Sequence, residues 1–264
     1  MIDAVAASVF PEVKAGGFSR LDSTVQFFQR IQALLTPDSV VLDFGAGRGA
    51  HFEDPVTFRR DIRIFKGRVR EVIGADIDPV VTTNPGLDRA LVIGPDGKLP
   101  LPDQSVDVII SDFTFEHIGT PSAVAAEMDR VLAPGGWICA RTPNRFGYLA
   151  ITSQLMPEAI KLRVVRNSQP GRKEEDVFPT FYRMNTKAAL KRCFPGYDHC
   201  VIAWDAEPAY YFGKLWLYRM FKFINTLTPD YFKIALLIFL QKPDVAQRDA
   251  QRRSRLAGSA EAAE

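Results

Sequence analysis

The residues able to do chemistry begin at Asp43-Phe44-Gly45-Ala46-Gly47-Arg48-Gly49, where the apolar run Val40 to Leu42 feeds a D-x-G-x-G-x-G turn. Three glycines let a ligand approach bare backbone. The spacing differs from the G-x-G-x-x-G of dinucleotide sites, whose third glycine permits close helix packing and whose helix N-terminus holds a pyrophosphate. Asp43 also places a carboxylate at the strand end, where a pyrophosphate would be repelled and an ammonium group attracted. The turn is expected to open onto a helix. Further along, Val72-Ile73-Gly74-Ala75-Asp76-Ile77-Asp78 reads as a second strand ending in an acid that can accept both hydroxyl protons of a ribose. Taken together, the two segments fit a nucleoside that carries an amino-acid group. In the plainer alternative the glycines only make a turn and Asp76 caps a helix.

These residues need strands that end side by side. The chain supplies seven candidates: Ser39 to Phe44, Glu71 to Ala75, Ala90 to Ile93, Val106 to Ser111, Trp137 to Arg141, His199 to Trp204 and Ile234 to Phe239. Between them run helical patterns. Leu21 to Leu35 spaces Val25, Phe28, Gln29, Gln32 and Leu35 along one face, and Thr36-Pro37-Asp38 stops it. A second helix starts with Thr120 as cap and Pro121 in its first position, carries Val124, Met128, Val131 and Leu132 as a stripe, and ends at Pro134-Gly135-Gly136. A short helix spans Thr186 to Cys193. The alternation predicts an α/β, Rossmann-like, mostly parallel seven-stranded sheet with helices on both faces. It fails from about 145 to 185, which reads as an insertion covering a site. Residues 1–243 are thus expected to form one domain, and the polar, Ala- and Arg-rich stretch 244–264 a frayed tail.

Composition narrows the classes. The 264 residues are 47% hydrophobic and 24% charged, enough to bury a sizeable core. A formal net charge of +2 argues against a dedicated nucleic-acid binder. Cys139, Cys193 and Cys200 form no CxxC pair, and His51, His117 and His199 stand far apart, so no metal site is expected. The opening MIDAVAASVFPEVKAG lacks a basic start followed by a long apolar run, so it does not read as a secretory signal, and a cytoplasmic protein is expected.

In order along residues 38 to 144, the chain resembles the class I S-adenosylmethionine-dependent methyltransferases. The resemblance rests on the glycine turn with its acids, on Leu99-Pro100-Leu101-Pro102-Asp103-Gln104-Ser105-Val106-Asp107-Val108, on Phe115-Glu116-His117-Ile118, and on Arg130-Val131-Leu132-Ala133-Pro134-Gly135-Gly136. It implies six parallel strands and a last antiparallel one, with S-adenosyl-L-methionine across the carboxyl ends of strands one to four. It also implies that Asp43, Gly45, Ala46 and Gly47 hold the methionine part and that Asp76, followed by Ile77, holds the ribose, with Asp112 nearby. Asp96 falls in the adenine segment, about one place off the family's pattern, and equally reads as part of an Asx turn at Pro95-Asp96-Gly97. The stretch from Gly49 to Asp76 exceeds the family's usual spacing, so the helix after the first strand is expected to carry an inserted turn. Asp107, at the start of its strand, is read as structural.

Methyl transfer from a sulfonium needs the attacking atom aligned with carbon and sulfur, and an alcohol acceptor benefits from a base. His117 is the candidate base, with Asp112 and Glu116 as neighbours of similar claim, although a histidine at such a junction is commonly a structural hydrogen-bonder. Asn144, Tyr148, Tyr182 and Arg183 are candidate contacts for a small-molecule acceptor, methylated at oxygen and of sugar, lipid-linked or quinone-like type. N-methylation of an amine and a non-catalytic nucleoside-binding regulator are the competing readings. Finally, the apolar stretch from Tyr210 to Leu240 is broken by charges, so it does not read as a membrane span. On a wheel, Lys214, Arg219, Lys222 and Asn225 share one face, with Trp216, Met220, Phe221, Phe223 and Ile224 opposite. That pattern suits either burial on the sheet or transient membrane-surface contact through 210–225, which would make the protein peripheral to the inner face of a membrane.

Overall fold

A computed structural model describes residues 4–155, 179–205, 207–208 and 212–244. Seven strands, β1 (Val40–Phe44), β2 (Glu71–Asp76), β3 (Arg89–Val92), β4 (Val106–Asp112), β5 (Leu132–Pro143), β6 (Asp198–Trp204) and β7 (Ala235–Gln241), form one sheet in the order β3-β2-β1-β4-β5-β7-β6. Strand β7 runs antiparallel to β5 and β6, and the other pairings are parallel. The central strands carry apolar runs such as Val40–Leu42 and Val108–Ile110 because both faces are covered.

On one face Val41, Val108, Ile110, Cys139 and Phe239 meet Phe27, Phe28 and Ile31 of a helix. On the other, Leu42, Ile109, Ile138 and Ile238 meet Met128 and Val131 of a second helix and Leu190 of a third. The first of these is α2 (Ser23–Leu34), which follows the short α1 (Ala4–Val9). Asp22 caps α2 by accepting from Thr24 N at 2.9 Å and Val25 N at 3.1 Å. Its buried stripe is Val25, Phe27, Phe28 and Ile31 rather than the stripe through Gln29 and Gln32. The Gln32 amide instead donates to the carbonyl of Ile62 at 2.9 Å, at the helix margin.

The turn after β1 does not open onto a regular helix. A 3₁₀ turn at Ala50–Glu53 and the five-residue α3 (Thr57–Asp61) stand in its place. Pro55 interrupts the segment, since proline lacks the amide that a helix interior requires. Asp54 accepts from Val56 N and pairs with Arg59 and Arg63, which fixes the break.

Helix α4 (Pro121–Val131) has Thr120 at its cap position, but the hydroxyl makes no capping bond. It ends before Pro134-Gly135-Gly136. Leu132 already pairs with Val106, and the register shifts before Trp137 reaches Val108, so those glycines form a bulge at the start of β5. Asp107 Oδ2 accepts from Val40 N at 2.7 Å and ties the first turn of β4 to β1, in keeping with a structural residue.

Three more helices lie among the described residues: α5 (Tyr148–Leu155), α6 (Lys187–Cys193) and α7 (Leu215–Leu227). The middle of the insertion, 156–178, and the tail beyond Asp244 lie outside the described residues. Among the described residues no helix is long and apolar enough to cross a membrane, and no cluster of metal-ligating side chains occurs.

Candidate active site

Parallel pairing brings the carboxyl ends of β1, β2 and β4 together, and each ends at or beside an aspartate. Asp43 lies opposite Gly74 on one side and Ile110 on the other. Asp76 accepts from Gly47 N through Oδ2 at 2.9 Å and from Asp78 N through Oδ1 at 3.0 Å, so the acid of the second strand helps to shape the glycine turn of the first. Asp112 stands in register with Arg141, whose guanidinium donates to both of its oxygens at 2.7 and 2.8 Å. Arg141 is buried and also donates to Ser23 Oγ and Thr24 Oγ1, which anchors the start of α2 beside the site. Phe113 adopts φ +55° and lies under the same guanidinium, 4.6 Å from its ring centroid.

Asp43 is different. Its carboxylate has no hydrogen bond or ion pair among the described residues. Burial, reinforced by the negative charges of Asp112 and Asp76, pushes its carboxyl up from 3.8 to about 7. With only Asp112 of the three carboxylates paired to a guanidinium, the site carries surplus negative charge.

The glycine turn presents backbone to that charge. Gly45, Gly47 and Gly49 all have positive φ, but for different surroundings. A Cβ on Gly45 would stand 2.1 Å from Thr114 Oγ1, and one on Gly49 would stand 2.6 Å from Asn84 Oδ1. Around Gly47 nothing lies within 4 Å of that position, so the space is open to a ligand. Asn84 donates to the carbonyls of Ala46 and Gly47 at 3.0 and 3.2 Å and accepts from Gly86 N. Sequence reasoning passed over Asn84, and Asn84-Pro85-Gly86 was its signal, as a turn-forming triplet following the ribose acid. His51 was also missed as a site residue. Its buried Nε2 has no partner among the described residues, and burial with the nearby Arg63 charge lowers its pKa to about 4, so the ring is neutral at pH 7.

Other expected residues fall differently. Ile77 is exposed at the end of β2. Asp96 accepts from Lys98 N at 3.3 Å in an exposed turn closed by Gly97 N and the Gly94 carbonyl, so its carboxylate serves the turn. Asp112, expected among the cofactor ligands, has both oxygens committed to Arg141 because the β4–β5 register sets the two side by side.

On the acceptor side, His117 sits in a 3₁₀ turn after β4, with Nδ1 2.8 Å from the Pro179 carbonyl. A carbonyl only accepts, so this contact puts the proton of the neutral ring on Nδ1 and the lone pair on Nε2. Beneath it a buried chain runs from Asn185 Nδ2 to Thr142 Oγ1 at 2.6 Å and from that hydroxyl to Glu116 Oε2 at 2.8 Å. Phe181 N and Tyr182 N donate to the carbonyl of Glu116, which fastens the returning end of the insertion to the turn. Asn144 is a latch rather than an open contact. It is buried, its amide donates to the carbonyls of Tyr231 and Lys233 at 2.9 Å each, and its oxygen accepts from Phe146 N. Arg183 is exposed, donates to the Gly119 carbonyl at 2.6 Å and covers the Phe181 ring, so it braces the loop. Tyr182 is buried with φ +52°, and Tyr148 stacks on Phe221.

Asp43, unpartnered among the described residues, and the open space beside Gly47 fit a ligand with a cationic end lying over the turn. Comparison with known proteins agrees with this geometry. Residues 42–140 match the family model described as a methyltransferase domain. A probable S-adenosylmethionine-dependent methyltransferase of Mycolicibacterium smegmatis is 37% identical over 84 residues, which is 30% of this chain and 32% of that protein. A malonyl-[acyl-carrier protein] O-methyltransferase of Methylococcus capsulatus is 33% identical over 119 residues, 42% of this chain and 40% of that one. The matched stretches thus cover about a third to two fifths of these curated relatives. A solved S-adenosylmethionine-dependent methyltransferase of Archaeoglobus fulgidus shares the fold, with 19% identity, a TM-score of 0.51 and coverage of 88% of this chain and 97% of that chain.

Proposed function

We propose, from the match of residues 42–140 to a methyltransferase domain, that this chain is a class I S-adenosylmethionine-dependent methyltransferase and that it transfers a methyl group to oxygen of a small-molecule acceptor. The observation that carries the reading is Asp43, a half-buried carboxylate with no partner of its own among the described residues, beside two further carboxylates. S-adenosylmethionine supplies an electrophilic methyl on a sulfur that departs neutral. Its ammonium group would take the place of Asp43's missing counter-ion, and Asp76 would hold the ribose hydroxyls while keeping Gly47 and Asp78 in position. Asn84 would keep the Ala46 and Gly47 carbonyls turned away from the ligand.

The chemical step then asks little beyond alignment and removal of a proton. His117, held through Nδ1 by Pro179, would take the acceptor's proton at Nε2, and the Glu116–Thr142–Asn185 chain would hold its turn rigid. The oxygen choice is supported by this histidine and by the O-methyltransferase relative. Calorimetry checks the cofactor half: S-adenosylmethionine and S-adenosylhomocysteine should both bind, and NAD should not. Incubation with methyl-labelled cofactor and fractionated lipids, glycans, RNA and metabolites checks the rest, with label expected in a non-polymeric fraction at an alkali-resistant or ester oxygen. Binding of NAD alone, or label only in RNA, would overturn it.

A further inference from the structure

Helix α7 is turned inside out. Trp216, Met220, Phe223 and Leu227 recur at the three- and four-residue spacing that normally faces a core, yet Trp216 is 62% exposed and Phe223 and Leu227 are each 65% exposed. The opposite face is the one that docks. Tyr218 and Asn225 are buried, and Tyr218 lies 6.4 Å from Phe10 in a small core with Ala6 and Val13. Burial on the sheet, one of the two readings of this pattern, is therefore not what the stripe does.

Further apolar side chains are exposed on neighbouring elements. Tyr148 at the start of α5 stacks on Phe221 at 5.8 Å, and the same helix carries Ile151 and Leu155 into solvent. Phe146 stacks on Tyr231, which is exposed beyond the end of α7. Monomeric proteins seldom leave so many large apolar side chains together unless something covers them.

Charge says what covers them. Lys214, Arg219 and Lys222 have no acidic partner among the described residues. Arg219 and Lys222 flank the stripe in a shallow groove with Ser8, Val9 and Thr226, and Lys222 Nζ rests 4.3 Å above the Phe10 ring. Asp230, the acid next to this face, is already drawn to Lys233 at 3.6 Å. A short helix with aromatic and aliphatic residues outward and, along its margin, cations without an acidic partner among the described residues matches an anionic lipid surface, which needs no shaped acidic counterpart.

We propose that this face docks on an anionic bilayer, with α7 lying in the interfacial plane. Asn144, at the carboxyl end of β5, is bonded to the carbonyls of Tyr231 and Lys233, so the acceptor edge of the site opens beside the docked face. The docking does not depend on the methyl-transfer reading.

The test floats the full chain on vesicles of equimolar phosphatidylglycerol and phosphatidylcholine at low salt, with pure phosphatidylcholine as comparison, and follows Trp216 fluorescence. The chain should float with the anionic vesicles only, its emission should shift to the blue, and high salt should release it. Arg219→Gln and Lys214→Gln should each weaken binding about fivefold. Phe223→Ser should abolish flotation while leaving the melting temperature and S-adenosylhomocysteine affinity unchanged. Failure to float, flotation unaffected by Phe223→Ser, or a dimer in sedimentation velocity that Phe223→Ser dissolves would each overturn the proposal. Normal nucleoside affinity in the same samples would confine that failure to the docking surface.

Discussion

Asp43→Asn separates the cost of the unpartnered carboxylate from its use. In the ligand-free protein burial and two neighbouring carboxylates raise Asp43 from 3.8 to about 7. A carboxyl raised on folding contributes its stability below the unfolded value and loses it as pH climbs through the folded one. The window is therefore pH 4 to 7, and the loss across it is at most about 4 kcal/mol. Asparagine keeps the shape and does not titrate. Urea midpoints of the two proteins should agree near pH 4 and diverge as pH rises, with Asp43→Asn the more stable at pH 8 by about 2 to 4 kcal/mol. Groups other than Asp43 titrate in both proteins, so the difference isolates this residue. Affinity should move the other way. An ammonium group binds the ionised form, so binding of S-adenosylhomocysteine to the wild-type protein below pH 7 should release a proton, tighten as pH rises and level off above 7. Calorimetry in two buffers of different ionisation heat counts that proton. The variant should bind at least tenfold more weakly at pH 8, by about 1.5 to 3 kcal/mol, with no proton released. If Asp43→Asn is less stable than wild type at pH 8, or binding in the wild type is independent of pH between 5 and 8, the charge reasoning fails.

Gly47→Ala should fold with a loss of about 1 kcal/mol or a little more for its left-handed backbone, yet bind S-adenosylhomocysteine poorly, because its methyl group enters open space that the ligand needs; thermal melts with and without ligand read both. Arg141→Met should lower stability by about 3 to 5 kcal/mol in urea titration, since it leaves Asp112 unpaired beside Asp43 and frees the start of α2. Asp76→Asn should weaken cofactor binding by about 1.5 to 3 kcal/mol with kcat at saturation largely kept. His117→Ala should lower kcat by about a hundredfold with cofactor affinity nearly intact, and a near-normal kcat across pH 6 to 9 would remove the base from the mechanism.

Much of this protein is written locally. Strand candidates with β-branched runs, the glycine turn and the acids at the ends of β1 and β2 could be read from sequence, because a parallel sheet buried on both faces demands apolar runs and ends them at turn chemistry. Asp107 was read as structural from the family resemblance, and the structure supplies the contact, the Val40 amide donating to its carboxylate where β4 begins beside β1. Side-chain partners were not legible. Arg141 and Asp112 meet only because the β4–β5 register aligns them, and Asn144 becomes a latch only because residues 231–233 return across the sheet. The break after β1 needed Asp54 to find Arg59 and Arg63, and Asn84 had to reach back to the turn across the loop that follows β2. Helix α7 makes the division plainest. Its sequence determined that one side is apolar and where the cations stand, whereas only packing against α1 decided which side faces inward, since Tyr218 and Asn225 compete for the interior with a stripe of greater apolar area. Periodicity specifies the faces of an element, and long-range contacts choose among them.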